Sequence, residues 1–168
     1  MTRFKALTLL SLLAASSTAA AHPGDHAGGL AHGFAHPFLG VDHLLAMVIV
    51  GLWAVRSARV WVLPAVFVTF MAVGAAIGSL PLPYVEPMIL LSILVFGLAS
   101  VLAKRLPLWL GAVLVAVFAL YHGHAHFTEM PDTSAAGFLA GMLLATALLH
   151  LAGVFVALAV ARVRFLLA

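Results

Sequence analysis

The sequence predicts an all-α protein, a polytopic bundle of membrane-spanning helices, and three observations predict it. Hydrophobic residues make up 65% of the 168 residues and charged ones only 8%, against about 25% charged in ordinary globular chains. Apolar runs of spanning length follow one another along the chain, and after the leader every Lys and Arg falls at alternate joints between them. A chain with a mean hydropathy of +1.21 cannot cover a water-facing surface, so its partner surface is the lipid bilayer.

Composition excludes several functions. The formal net charge is +3, yet there is no basic stretch interleaved with aromatics to bind a phosphate backbone, so nucleic acid is not a partner. Cysteine is absent, which removes disulfides and thiolate metal sites. Any metal must be held by nitrogen and oxygen. Nine histidines among so few polar residues are then the feature to explain.

Residues 1 to 21 read as a cleaved signal peptide. Arg3 and Lys5 form its basic region, Ala6 to Ala15 its apolar core, and Ala19-Ala20-Ala21 a small-residue cleavage site. The mature chain, residues 22 to 168, begins at His22 and forms one helical transmembrane domain. Crossing about 30 Å of hydrocarbon takes about 20 residues, and about five such runs are present: 31 to 55, 60 to 79, 86 to 103, 107 to 127 and 135 to 161. Arg56 and Arg59, Lys104 and Arg105, and Arg162 and Arg164 follow the first, third and fifth runs. The other joints carry Pro81, Pro83 and Glu86, then Glu129, Pro131 and Asp132. Basic loops lie in the cytoplasm, so the mature N-terminus faces outside, as a signal peptide also requires. Spans must be helices or closed barrels because lipid offers no hydrogen-bond partners, and uninterrupted apolar runs lack the alternation of barrel strands. Gly74 with Gly78 and Gly137 with Gly141 fit a GxxxG spacing that lets helices approach closely.

The first span contains His36, Asp42 and His43. Ionisable groups inside a span are costly and mark functional sites by default. At about 100° and 1.5 Å per residue, His36 and His43 share a helix face but stand about 10 Å apart along it, too far for one ion. Pro37 lacks a backbone N–H and Gly40 tolerates unusual dihedrals, so a kink or unwound stretch between them is expected. Half-helix ends of that kind bind ions in transporters. In the fourth span His122 and His126 are i,i+4 neighbours with Glu129 three residues beyond, so the three line one stripe while His124 points the other way. Two imidazoles and a carboxylate suit nickel, cobalt or zinc. Both clusters fall in the outer half of the membrane. His150, near the middle of the fifth span, is a further ligand, a proton carrier or a plain interhelical hydrogen bond. Glu86 before Pro87 reads as a helix start or an outer-gate ligand. His22 and His26 offer a collector for metal outside or form a His-rich tail without such a role, and His32 is similarly ambiguous.

The run His36-Pro37-x-x-Gly40-x-Asp42-His43-x-x-Ala46-Met47, followed by Val50-Gly51-x-Trp53-Ala54, resembles the signature of the HupE/UreJ family. His122-Gly123-x-Ala125-His126-x-x-Glu129 is similar to that family's second motif, and Ala147-Leu148-Leu149-His150-x-x-Gly153 resembles its later helix. The resemblance spans essentially the whole mature chain. It implies a transport domain: a secondary permease of the bacterial cytoplasmic membrane that imports nickel, with cobalt the second candidate, for hydrogenase or urease maturation. It implies no prosthetic group and no enzymatic activity, and it points to His36, Asp42, His43, His122, His126 and Glu129 as metal ligands, with Glu86 and His150 as lesser candidates. Two departures stand out: Phe127 sits where the family often has Gly, and the chain stops after its fifth span where the family usually has six. A missing helix leaves the bundle incomplete or closed by a second copy, as a homo-oligomer. Ligand histidines must be neutral to bind, so uptake is expected to fall as pH drops through about 6.5. The alternative is an intramembrane metal-dependent enzyme on the same ligands, or a bis-histidine haem protein.

Overall fold

The computed structural model describes residues 29–130 and 134–166, which form six α-helices and, among the described residues, no strand. The expected signal peptide, His22 and His26 lie outside them. The helices are α1 (Gly29–Leu39), α2 (Val41–Ala54), α3 (Val62–Ala76), α4 (Val85–Val101), α5 (Leu108–Phe127) and α6 (Ala135–Leu166). By length and composition α5 and α6 each suffice to cross a membrane, and α1 with α2 makes a third if that pair is one span. The runs expected at 60 to 79 and 86 to 103 form helices of only 15 and 17 residues. Both are apolar but shorter than a full crossing. Turns at Ile77–Leu80 and around Leu102–Leu106 close their ends.

The first apolar run does not make one helix. It breaks at Gly40, where α1 and α2 meet at 83°. Pro37 sits buried inside α1. The expected break is therefore present, but Gly40 has φ −95° and ψ 110°, an extended conformation open to any residue, so its backbone freedom is not the reason for glycine. A new helix N-terminus now begins at Val41, and Asp42 lies in its first turn, where the exposed amide groups favour negative charge.

The long α6 packs along both α1 and α2, α3 pairs with α5, and α4 lies against α2 and α5. One end of the bundle carries Arg56, whose guanidinium donates to the Ser100 carbonyl at 3.2 Å, together with the α2 C-terminus and the start of α5, where Trp53 lies against Gly111. At the opposite end stand the bend, the α3–α4 turn and the C-terminus of α5. Between them lies an apolar core of Met47, Val50, Trp53, Phe67, Met71, Phe96 and Met142.

Burying apolar groups against one another gains little when the alternative is lipid, so contact between backbones matters more. Gly51 of α2 faces the His150 carbonyl and Gly153 of α6, and Gly153 in turn faces the Val48 carbonyl. A side chain at either position would overlap the opposing backbone. Of the two GxxxG pairs read in the sequence, Gly74 faces the Leu120 backbone and Gly141 the Leu30 carbonyl with similar closeness, whereas a Cβ at Gly137 would stand 3.3 Å from the Leu30 backbone nitrogen, a tight contact but not an overlap. Overpacking of this kind costs about 1–3 kcal/mol. Gly51→Val or Gly153→Val is therefore expected to lower the melting temperature of the detergent-solubilised protein by several degrees, while Gly97→Ala, which meets nothing within 4 Å, leaves it unchanged.

Candidate metal centre

The 83° bend sets the site. It leaves His36 in the last turn of α1 and Asp42 and His43 in the first turn of α2. His122 and His126 come from the last two turns of α5, and Glu129 from the turn just after it. The three elements meet so that the His36 ring is 4.9 Å from that of His126, His43 is 4.5 Å from His126, and His43 is 4.8 Å from His122, measured between centroids. The two histidines of the first cluster thus reach one neighbour from either side of the break. A straight helix would have kept them about 10 Å apart.

Glu129 binds two of these rings through one oxygen. Its Oε2 accepts from His36 Nε2 at 2.9 Å and from His126 Nδ1 at 3.1 Å. Partial burial works to raise its pKa, but these two hydrogen bonds and the nearby rings prevail and hold the carboxyl well below the usual glutamate range. Among the described residues, His36, His126 and Glu129 are the group of three whose ligand atoms all lie within 4.8 Å of one another. Two imidazoles and a carboxylate at that spacing can hold a borderline divalent cation after small side-chain movements.

The remaining rings follow one rule. His43 Nδ1 bonds Asp42 Oδ1 at 2.9 Å, His124 Nε2 bonds the Leu80 carbonyl at 2.8 Å, and His150 Nδ1 bonds the Thr146 carbonyl at 2.8 Å. His122 Nε2 lies 3.0 Å from Ser92 Oγ. Carboxylate and carbonyl oxygens only accept, so the nitrogens facing them carry the proton. The opposite nitrogens, Nε2 of His43, His126 and His150 and Nδ1 of His122 and His124, are buried without a partner. A ring held through one nitrogen and bare at the other is how metal-ligating histidines are usually oriented.

An open cavity of about 470 Å³ leads to this cluster, bordered by Asp42, His43, Glu86, His124 and Glu129 among others. Glu86 lies in the first turn of α4 with an exposed side chain. It forms part of the cavity wall as well as the expected helix start. The residue before that helix, Tyr84, is in the left-handed region with φ 59°.

Most of the residues singled out in the sequence converge here. The His122, His126 and Glu129 stripe forms as expected, and His124 turns away from it toward the α3–α4 turn, yet it still borders the same cavity. His150 does not join the cluster. It is buried on α6, and the ring of Phe67 touches both it, at 4.9 Å, and His122, at 5.4 Å. His32 is exposed on α1, 6.4 Å from His36. Ser92 and Phe67 escaped the sequence reading. A lone hydroxyl in the apolar run Met88–Gly97 was the available signal for Ser92; an apolar Phe67 offered none.

Fold and site together define a class of protein: an apolar helical bundle with candidate membrane spans and a cluster of imidazoles and carboxylates, suited to a divalent cation, at one end. The chain belongs to the HupE / UreJ family, whose sequence pattern matches residues 10–167. It is 43% identical over 155 residues to Protein HupE of Rhizobium leguminosarum bv. viciae, covering 89% of this chain and 81% of that one. No solved structure matches it.

Gly40 has a steric role at the site. A Cβ there would stand 3.0 Å from Asp42 Oδ1 and 3.2 Å from His43 Nδ1, so Gly40→Ala pushes against the pair that orients His43. Disturbing such an orienting contact typically costs 10–100-fold in metal affinity. Nickel binding to purified Gly40→Ala, measured by calorimetry, is expected to weaken about 10-fold, with Phe38→Ala as the unaffected control.

Proposed function

We propose that the chain is a secondary permease that imports nickel, with cobalt as the second candidate ion, across the bacterial cytoplasmic membrane for the maturation of hydrogenase or urease. Membership of the HupE / UreJ family supports the accessory role and a divalent-ion cargo. It also favours transport over catalysis, so the protein is not an enzyme and needs no prosthetic group. The single observation that carries the reading is the gathering of His36 Nε2, His126 Nδ1 and Glu129 Oε2 at the break between α1 and α2. The cavity bordered by the carboxylates of Glu86, Asp42 and Glu129 opens onto that point.

In this reading the basic joints face the cytoplasm, the N-terminus of the mature chain lies outside, and the cavity opens to the periplasm. Its three carboxylates concentrate cations at the entrance. An arriving ion exchanges waters for imidazole and carboxylate ligands and takes the place of the two ring protons that otherwise point at Glu129, each of which moves to the opposite nitrogen of its ring. His43, oriented by Asp42, and then His122 extend the ligand set inward, with His150 deeper still. Movement of the helices about the Gly40 break then passes the ion inward, and the membrane potential adds drive of about 2.3 kcal/mol per charge per 100 mV.

Nickel accumulation in cells deprived of their own nickel importers tests this. The wild-type chain is expected to restore uptake, and His126→Ala or Asp42→Asn to reduce it about 10-fold or more, the scale on which loss of a ligand or its orienting partner acts. Unchanged uptake in both variants, with the proteins present in the membrane, would overturn the proposal.

A further inference from the structure

Ser92 has one proton to give and two neighbours to give it to. Its Oγ lies 2.6 Å from the Ile89 carbonyl and 3.0 Å from His122 Nε2, and the side chain is fully buried. The carbonyl can only accept, and the short contact takes the hydroxyl proton. Oγ is left as an acceptor, so His122 Nε2 carries the hydrogen that faces it. The lone pair of His122 is then on Nδ1, buried and without a partner. His43 reaches the same condition by another route. Asp42 Oδ1 takes both its backbone N–H, at 2.8 Å, and its Nδ1–H, which leaves Nε2 bare and buried.

The two rings stand 4.8 Å apart at 88°. Imidazoles that share an ion at about 2.0–2.1 Å, with ligand angles of roughly 90–110°, have centroids about 4.6–5.3 Å apart. We propose that His43 and His122 form a second station for the divalent ion, deeper than the His36, His126 and Glu129 group, and that Ser92 is the positioning residue that makes His122 present Nδ1 to it. The inference rests on the permease reading for what passes through the station, but not for its geometry. His126 joins the two stations: its Nδ1 faces Glu129, while its bare Nε2 belongs to a ring 4.5 Å from His43. The order of rings, His36, His126, His43, His122, runs from the half-exposed Glu129 carboxylate to a fully buried imidazole. Its far end abuts Phe67. Loading the second station requires the His43 and His126 rings to tilt toward His122, because their bare nitrogens do not yet meet around one point.

Nitrogen NMR of the full chain in nanodiscs with 15N-labelled histidine, His122 assigned through His122→Gln, tests the geometry without transport. The metal-free wild type is expected to show His122 as the Nε2–H tautomer, Ser92→Thr to keep it, and Ser92→Ala to lose it. Zinc, a diamagnetic substitute for nickel, added beyond one equivalent is expected to shift the Nδ1 signal of His122 in the wild type but not in His43→Gln. An Nδ1–H tautomer in the wild type, or no response of His122 to zinc, would overturn the inference even if nickel uptake is intact. In uptake assays Ser92→Ala is expected to lower the rate about 10-fold, Ser92→Thr to restore it, and Ser92→Ala to add nothing to His122→Gln. Additive losses would likewise overturn it. A wild type that moves no nickel yet shows the expected tautomer and zinc shift would fail the permease reading alone.

Discussion

Inside an apolar bundle every imidazole must find a hydrogen-bond partner, because neither lipid nor packed side chains supply one, and an unpaired buried polar group costs about 1–3 kcal/mol. Among the described residues, five buried or partly buried histidines meet that demand at one nitrogen only. Asp42, Ser92, Leu80, Glu129 and Thr146 each face one ring nitrogen, and the second nitrogen of each ring is left buried and unpaired. Of the five, His43 stands 4.5 Å from His126 and 4.8 Å from His122 between centroids, and a divalent ion in the proposed site would supply the interaction these three rings lack, whereas His124 and His150 lie outside that cluster.

The break at Gly40 makes the arrangement possible. It turns one apolar run into two helices at 83°, so that His36 and His43 approach His126 from different directions. It also creates a helix N-terminus at which the carboxylate of Asp42 is favoured. The glycine contacts that bring α2 against α6 hold the bent pair in place, because they permit backbone approach where hydrophobic burial offers little gain. Packing, bend and site are therefore parts of one construction, and a side chain added at Gly51 or at Gly40 acts on the same candidate ligands by different routes.

Much of this was legible in the residues. Composition and the placement of Arg56, Lys104 and Arg162 identify an apolar helical bundle, and the spacing of His122, His126 and Glu129 identifies a stripe, because helix periodicity is local. The break after Pro37 was legible too, although the reason for glycine at position 40 is room for Asp42 and His43 rather than an unusual dihedral. Contacts between helices were not legible. That Ser92 meets His122, that His36 shares an oxygen with His126, and that the Phe67 ring touches both His122 and His150 depend on how helices rotate against one another. No periodicity within a single helix encodes that rotation. The shorter lengths of α3 and α4 were missed because hydropathy continues through turns, such as Ile77–Leu80, that the backbone does not make helical.

In the proposed function, imidazole and carboxylate groups around the Gly40 break bind a divalent ion directly. X-ray absorption of the nickel-loaded protein in membranes tests it most directly. The expected result is a first shell of nitrogen and oxygen only, with the multiple-scattering pattern of at least two imidazoles, and loss of one such ring in His126→Gln. A first shell of water oxygens alone, or a spectrum unchanged in both His126→Gln and His36→Gln, would contradict it.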